Sequence, residues 1–533
     1  MPLTMKNLLL AFLGIVCGAV NAAALTDIQV YGSSSTLGTS FSVSVSAPDG
    51  TLNQSVPVEL IRPSNTTLNF ARFAFSGTVQ VTVKVPNVAN YSISPRRYEL
   101  ATTVDSGQQT MRFTISNDAN SAYYRPDGVI KLVLHDHYGT GPSLFLFADK
   151  KRPEPLIDGV TAFSAADYGI VPAASDNTAA INSAIQSLSA KGLSNAAMLY
   201  FPAGVYRTRT VVMKSNVALF LSGQAVLMGP DDHVLSAGAF VTFNSVNNAH
   251  IRGPGIVNAN IWHANNNKIV FMDGATNSSL QDVLFTGTGN WSIHILNSAD
   301  ILGRNYKLIN EFTDNSDGTD PDHSVRVTID DIFEHTKDDG FAVKTSPGSS
   351  GITDAINISN SVIWTQKSAL KIGSEVTTAL KNVTFSNNQV VYADRALAVY
   401  GNGSGVAGGS VDKITFTGNT IEKIVNLTFG KLVDFSVLYF SNPAPYAPIS
   451  NIIVGNTFCY APAPNVSKID GLSGTLINNV TFTQFWMDSA HGFITTANGN
   501  VGQHFAVGQY AKNVTFGTET TPPAAPTGLM LMP

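Results

Sequence analysis

The sequence contains few charged residues. Of its 533 residues only 13% are Asp, Glu, Lys or Arg, and the formal net charge is −5 at pH 7. A mildly acidic chain has no electrostatic reason to bind nucleic acid or anionic membranes, so we expect neither as a partner. The low charge, together with 44 glycines and many Asn, Ser and Thr residues, favours β-structure and turns over long helices.

Cysteine is also scarce, since the chain has only Cys17 and Cys459. Cys17 lies in the N-terminal segment that we expect to be removed, so no intrachain disulfide is predicted. Cys459 lies between Phe458 and Tyr460, which indicates a buried thiol rather than a nucleophile. The 10 histidines show no ligand-type spacing. We therefore predict no metal site and no cofactor.

Long apolar runs are missing after the N-terminus, where no stretch reaches the 18 residues of a membrane-spanning helix. The N-terminus itself has Lys6, an apolar run at residues 8–20 and the small residues Ala22, Ala23 and Ala24. This order is typical of a secretory signal peptide at residues 1–24. The mature protein is therefore expected to be a soluble, secreted monomer.

Two kinds of β pattern follow. Residues 25–153 contain short alternating runs separated by turn residues, which predicts an antiparallel β-sandwich domain. A charged, proline-containing linker begins at Lys150. Ser175 or Asp176 is then expected to cap one amphipathic helix with an apolar face of Ala180, Ile181, Ala184, Ile185 and Leu188.

A weak motif recurs after this helix, in which apolar and polar residues alternate and end in Asn, Gly or Asp. Examples begin at Val325, Ile356, Asn382, Lys413 and Asn479. Short strands turned by Asn and Gly at such intervals predict a right-handed parallel β-helix over residues 154–519. Residues 520–533 form a proline-rich tail that we expect to be loose.

Three aspartates stand out in the middle of the predicted β-helix. Asp317 precedes the adjacent pair Asp338 and Asp339 by about one coil, since Asp317 and Asp339 are 22 positions apart. On neighbouring coils these carboxylates would converge, and like charges that close raise one another's pKa values. Such clusters indicate catalysis or a bound cation, although each aspartate alone is also an ordinary turn residue.

Residues 291–375 resemble the β-helical glycosidases, namely the polygalacturonases (glycoside hydrolase family 28) and the dextranases and isopullulanases (family 49). Asn315-Ser-Asp-Gly-Thr-Asp is similar to their Asn-Thr-Asp-Gly-x-Asp motif, and Lys337-Asp-Asp-Gly-Phe-Ala-Val-Lys is similar to their Asp-Asp motif. The resemblance implies a pectin-lyase-like β-helix and an inverting glycoside hydrolase. It also implies that Asp338 is the general acid and that Asp317 and Asp339 hold the attacking water.

The substrate prediction depends on two departures from the polygalacturonase pattern. Lys367-Ser-Ala-Leu-Lys-Ile-Gly stands in place of Gly-His-Gly, and Ala398-Val-Tyr400 stands in place of the Arg-x-Lys that binds the substrate carboxylate. An alanine and a tyrosine suit a neutral sugar, so we favour endo-cleavage of a neutral α-glucan over pectin. The predicted substrate-binding residues are Trp291, His294, Lys344, Lys371 and Tyr400.

Two other classes remain open. A polysaccharide lyase shares the β-helix but uses acids to hold Ca²⁺ and a basic residue to take the proton. A non-catalytic adhesin or carbohydrate-binding protein also shares it, but pure binding does not require the three intact aspartates.

Overall fold

The computed structural model describes residues 26–32, 37–62, 65–118, 130–139, 141–152, 162–172, 174–261, 267–287, 290–438 and 444–518. The predicted signal peptide (1–24) and tail (520–533) lie outside the described residues. Two strand-rich units follow one another along the described chain. No helix in these ranges has the length and apolar character needed to cross a membrane.

The first unit is a β-sandwich, whose two sheets enclose one apolar core. Its strands are β1 (Asp27–Tyr31), β2 (Ser42–Ser46), β3 (Asn53–Val56), β4 (Val58–Arg62), β5 (Asn65–Ser76), β6 (Thr78–Lys84), β7 (Ser92–Ser94), β8 (Thr103–Asp105), β9 (Thr110–Ser116), β10 (Ile130–His135) and β11 (Ser143–Lys150). One sheet has the order β1-β5-β11-β10-β7 with β4 beside β5, and the other has the order β3-β2-β6-β9-β8. The antiparallel prediction is wrong for one pair, because β5 and β11 run parallel.

The second unit is a parallel β-helix. Its helices are α1 (Thr178–Ser189), α2 (Asp488–His491) and α3 (Val501–His504). Its strands are β12 (Ala162–Ser164), β13 (Ala197–Phe201), β14 (Gly204–Arg207), β15 (Val211–Val212), β16 (Val217–Leu221), β17 (Ala225–Met228), β18 (Ala239–Asn244), β19 (Ala249–Arg252), β20 (Ile256–Asn258), β21 (Lys268–Asp273), β22 (Thr276–Gln281), β23 (Leu284–Thr286), β24 (Ile293–Leu296), β25 (Ala299–Arg304), β26 (Lys307–Asn310), β27 (Thr319–Asp322), β28 (Val325–Asp330), β29 (Phe333–Thr336), β30 (Phe341–Thr345), β31 (Thr353–Ser359), β32 (Val362–Thr365), β33 (Ser368–Val376), β34 (Ala379–Ser386), β35 (Gln389–Tyr392), β36 (Arg395–Tyr400), β37 (Ser410–Thr417), β38 (Thr420–Ile421), β39 (Lys431–Ser436), β40 (Ile449–Cys459), β41 (Ser467–Asp470), β42 (Ile477–Met487), β43 (Gly492–Phe493), β44 (Phe505–Val507) and β45 (Ala511–Phe516).

Successive coils stack so that each strand pairs with its counterpart on the next coil. The first face includes β22, β25, β28, β31 and β34, and the second face includes β23, β26, β29, β32 and β35. The third face is a separate parallel sheet, which we call the cleft sheet, with the order β15-β18-β21-β24-β27-β30-β33-β36-β39-β41-β44. The fold class predicted from the sequence, a β-sandwich followed by a parallel β-helix, is confirmed.

The recurring Asn, Asp or Gly of the sequence motif marks the corner between the first and second faces. Asn305, Asp331, Asn360, Asn387 and Gly418 each have a positive φ there, between 49° and 67°. Left-handed backbone costs least for Gly and is tolerated by Asn and Asp, whose short polar side chains bond locally. At these corners the motif therefore reflects a tight turn with one residue in the left-handed conformation.

Helix α1, the amphipathic helix expected from the sequence, covers one end of the β-helix. Ile181, Ala184, Ile185 and Leu188 are buried against the first coils. The capping prediction was wrong, because the N-cap is Asn177. The carboxylate of Asp176 instead accepts the backbone N–H of Thr178 at 2.7 Å, which still satisfies a donor of the first turn. Cys459 is buried, as expected from its aromatic neighbours.

The β-sandwich packs on the second face of the β-helix through an apolar interface. Phe70, Val133, Phe145 and Phe147 from one sheet of the sandwich meet Val226, Leu284, Phe333 and Val362. Strands β10 and β11 are therefore covered on both sides, by the sandwich core and by the β-helix. Their continuous burial follows from this arrangement.

Buried ion pairs join the two units within this interface. Lys307 Nζ lies 2.7 Å and 2.9 Å from the two carboxylate oxygens of Asp149, and Lys131 Nζ lies 2.5 Å from Asp331 Oδ1. Both lysine side chains are almost fully buried. Removing one partner of such a pair leaves an uncompensated buried charge.

Lys307→Met should therefore lower the free energy of unfolding by about 3 kcal/mol, because it leaves the Asp149 carboxylate buried without its main partner. The double variant Lys307→Met/Asp149→Leu should recover most of that loss, since it removes the remaining charge. Urea unfolding of the whole chain measures both. Arg326→Met, which breaks the exposed pair with Asp300, is the control and should change little. A double variant no more stable than the single one would contradict this account.

Candidate active site

The three aspartates lie in turns that lead into neighbouring strands of the cleft sheet. Asp317 precedes β27, and Asp338 and Asp339 lie in the bend between β29 and β30. The N–H of Gly318 donates to the carbonyl oxygens of Asp339 (2.9 Å) and Gly340 (3.0 Å). The structure thus brings the three aspartates together on adjacent coils, as their spacing indicated.

The adjacent pair Asp338 and Asp339 has two different environments. Asp338 accepts the N–H groups of Asn315 (3.1 Å) and Asp339 (2.8 Å), and burial together with the negative charge of Asp339 raises its pKa. Burial would also raise the pKa of Asp339, but Lys371 Nζ at 2.5 Å outweighs it and lowers the pKa. Ser368 N–H adds a bond to Asp339 at 2.8 Å. The environment therefore pushes the pKa values of the two neighbours apart.

Asp317 shares a lysine with a fourth acid, Asp320. Lys344 Nζ lies 3.4 Å from Asp317 Oδ2 and 2.9 Å from Asp320 Oδ2. Burial, followed by the charge of Asp320, raises the pKa of Asp317 well above its usual range. Burial likewise raises the pKa of Asp320 to about 6. One lysine thus pairs with two buried carboxyls. The sequence showed Asp320 only as part of the Asp317-Gly-Thr-Asp motif.

A fifth acid, Glu334, lies inside the coil directly behind this cluster. It is fully buried, it accepts the Thr319 hydroxyl at 2.6 Å, and burial raises its pKa well above the usual range. A Cβ added to Gly318 would lie 2.4 Å from Glu334 Oε2 and 2.6 Å from the Gly340 carbonyl oxygen. Glycine is therefore required where the acid-bearing turn passes over Glu334. Sequence reasoning missed Glu334, because its inward orientation depends on the strand register.

The five predicted binding residues all lie on or beside the cleft sheet, but only part of the set touches the acids. Lys344 and Lys371 contact Asp317 and Asp339 respectively. Trp291 contacts Lys344, since its ring centroid is 3.8 Å from Lys344 Nζ. Its side chain is half-buried.

His294 and Tyr400 contact other carboxylates. His294 Nε2 donates to Asp322 Oδ2 at 3.1 Å, and burial lowers the histidine pKa. Tyr400 donates its hydroxyl to Asp434 Oδ2 at 3.0 Å. Trp364 lies on the second face and stacks on Tyr392 with 5.1 Å between centroids. It belongs to the interface with the β-sandwich.

Comparison with known proteins places this architecture among β-helical carbohydrate enzymes. Residues 162–393 match the sequence profile of the family described as "Rhamnogalacturonase A/epimerase, pectate lyase-like". Among solved structures, Dex49A from Penicillium minioluteum has a TM-score of 0.67 at 15% identity, with 92% of this chain and 98% of that chain covered. The family 28 exopolygalacturonase of Yersinia enterocolitica has a TM-score of 0.55 at 14% identity, with 84% and 94% covered.

The polygalacturonase of Erwinia carotovora has a TM-score of 0.53 at 17% identity, with 69% of this chain and 99% of that chain covered. The chain has the fold of the β-helical glycosidases. The resemblance predicted from the sequence motifs is thereby confirmed at the level of fold. No curated protein matches the sequence. Within the described ranges, no group of three or more His, Cys, Asp or Glu side chains is arranged to hold a metal ion.

The raised pKa of Glu334 predicts a specific pH dependence of stability. The folded chain keeps this proton above pH 4.5, the ordinary glutamate pKa, whereas the unfolded chain releases it. The folded state then binds more protons, so the contribution of Glu334 to stability falls as pH rises above that value. Glu334→Gln keeps the neutral shape and should flatten this part of the decline.

The measurement is urea unfolding of wild type and Glu334→Gln between pH 4 and 8. The stability of the variant relative to wild type should rise with pH. A difference that is constant with pH would mean that Glu334 has an ordinary pKa in the folded chain.

Proposed function

We propose that the protein is an inverting glycoside hydrolase in which Asp338 is the general acid. The observation that carries this proposal is the adjacent pair Asp338 and Asp339, whose pKa values are shifted in opposite directions on one surface. Inverting hydrolysis needs one protonated carboxyl for the leaving oxygen and one ionised carboxylate for the water. A pair whose pKa values diverge in this way suits these two roles.

In the proposed reaction a water oxygen attacks the anomeric carbon while the bond from that carbon to the leaving oxygen breaks. Asp338 gives its proton to the leaving oxygen, and Asp339 takes a proton from the water. Lys371 keeps Asp339 ionised before the attack. Asp317 orients the water by hydrogen bonding. Lys344 contacts both Asp317 and Asp320 and so limits the negative charge beside that water.

The substrate that we propose is a neutral α-glucan, cleaved internally by a secreted monomer. Lys344 and Lys371, two cations beside the acids, are both engaged by carboxylates of the protein. Their charge is therefore less available to recognise a substrate carboxylate. Ala398, opposite Lys371 in the next strand, adds no charge. Hydrolysis of a galacturonic acid polymer is the second candidate, favoured by the likeness to two polygalacturonases.

A substrate screen tests the reaction class. Reducing-sugar release from dextran, pullulan and polygalacturonate should be found for dextran or pullulan and should exceed that for polygalacturonate. Release from polygalacturonate alone would favour the second candidate, hydrolysis of a galacturonic acid polymer. Ultraviolet absorbance of an unsaturated sugar, abolished by a chelator, would replace the hydrolase with a lyase. Binding without product from any polymer would indicate a carbohydrate-binding protein.

The role assignment predicts an asymmetry among the aspartates. Asp338→Asn removes the general acid and should lower the rate by roughly 10²- to 10⁴-fold. Asp317→Asn and Asp339→Asn should be similarly severe, because each disturbs the attacking water. A substrate with a very good leaving group needs little protonation, so it should partly rescue Asp338→Asn alone.

The comparison requires kcat/KM of each variant on a natural oligosaccharide and on an activated aryl glycoside. Thermal unfolding of each variant is the control, and relief of repulsion should leave Asp338→Asn at least as stable as wild type. If the activated substrate rescues Asp339→Asn and not Asp338→Asn, then Asp339 is the general acid and Asp338 acts on the water. Three variants within a few-fold of wild type would mean that the acids are turn residues.

A further inference from the structure

A separate cavity of about 190 Å³ opens on the cleft sheet beyond the acids. Its walls come from strands β36, β39 and β41 and from the loop before β39, and they include Arg395, Tyr400, Phe429, Lys431, Asp434 and Lys468. None of the three aspartates contributes to it. Three strand steps separate β30 from β39 along the sheet, which amounts to about 14 Å at 4.8 Å per step.

The cavity wall carries charges of both signs, with three cations (Arg395, Lys431 and Lys468) and one carboxylate (Asp434). Asp434 Oδ2 accepts the Tyr400 hydroxyl at 3.0 Å and lies 3.6 Å from both Arg395 Nε and Lys431 Nζ. Lys468 Nζ lies 3.2 Å from Asp470 Oδ2. Every cation of the wall therefore has a carboxylate nearby. A wall with both donors and acceptors suits a ligand rich in hydroxyl groups better than a simple anion.

An aromatic ring at the rim adds an apolar surface. Phe429 is 41% exposed, although phenylalanine is usually buried, and its loop neighbour Leu427 is 84% exposed. The Phe429 ring lies 5.9 Å from the Arg395 guanidinium, so it borders the polar wall. A ring beside hydrogen-bonding groups fits a pyranose, which has an apolar C–H face and a polar edge.

The strand register connects the cavity with the acids. Lys371, which binds Asp339, pairs with Ala398, and Ala398 pairs with Asp434 on the following strand. Alanine adds only a methyl group at this position, and Ala398 is fully buried. Consecutive strands of the cleft sheet thus lead from Lys371 to Asp434, and an extended chain bound at the acids would reach the cavity along them.

We propose that this cavity is a distal subsite that binds one neutral hexopyranosyl unit of the substrate chain, with Phe429 packing on the sugar face and Asp434 accepting its hydroxyl groups. The proposal rests on the proposed glycosidase function and adds a place where substrate length is recognised. It assigns substrate binding to Phe429, Lys431 and Asp434, which line the cavity and not the acid cluster.

The test measures binding, so that it does not depend on turnover. Isothermal titration of the full-length Asp338→Asn protein would use isomalto- and malto-oligosaccharides of two to eight units, with oligogalacturonides of the same lengths as the acidic arm. Affinity should rise with length until the cavity is reached. Phe429→Ala, added to Asp338→Asn, should weaken binding of the long neutral oligosaccharides by roughly three- to tenfold. Asp434→Ala should also weaken it, whereas Leu427→Ala on the same loop is the matched control and should not.

The outcomes separate this proposal from the proposed function. Long neutral oligosaccharides that bind equally well to Phe429→Ala, Asp434→Ala and the parent would overturn the subsite while leaving the hydrolase in place. Binding of oligogalacturonides alone, reduced by Asp434→Ala or Phe429→Ala, would overturn the neutral class. No binding of either series to the parent would overturn the proposed function itself. Loss of length dependence in Phe429→Ala, with circular dichroism unchanged, would support the subsite.

Discussion

The structure depends on the in-register stacking of parallel coils. Each coil donates its backbone hydrogen bonds to the next, and a residue on one coil lies beside its counterpart on the neighbour. The contact between Gly318 and the carbonyl oxygens of Asp339 and Gly340 is one example of this rule. The acids meet because the register is maintained by the corners, where Asn, Asp or Gly takes a left-handed conformation. A one-residue shift would turn every outward side chain inward.

The same stacking explains how the chain holds so many acids in one place. Asp317, Asp320 and Asp339 are buried or nearly so, and each is within reach of Lys344 or Lys371 from a neighbouring strand. Two lysines compensate part of the charge, and burial raises the pKa values of Asp317 and Asp320. Burial alone would disfavour the ionised form of each of these carboxyl groups, so the lysines decide which of them is ionised.

Much of this could be predicted from the sequence, because the decisive signals are local or periodic. The spacing of Asp317 and Asp339 equals one coil, and the alternating runs before Lys150 mark the sandwich. Features set by the packing of distant segments could not be predicted. Glu334 looks like an ordinary strand residue until the register places it beneath Gly318. Lys131 and Lys307 look like surface lysines until the sandwich covers them. The parallel pairing of β5 with β11 joins segments that are far apart in the chain.

Among the described residues, each strand of the cleft sheet is hydrogen-bonded within that sheet only to the strand before it and the strand after it. A structure built this way is modular along its axis, since its energetics are dominated by nearest neighbours. Evolution can therefore lengthen the groove by duplicating a coil at its far end, without moving the residues that perform the chemistry. The length of the polymer segment that the groove accommodates is thus free to change independently of the reaction.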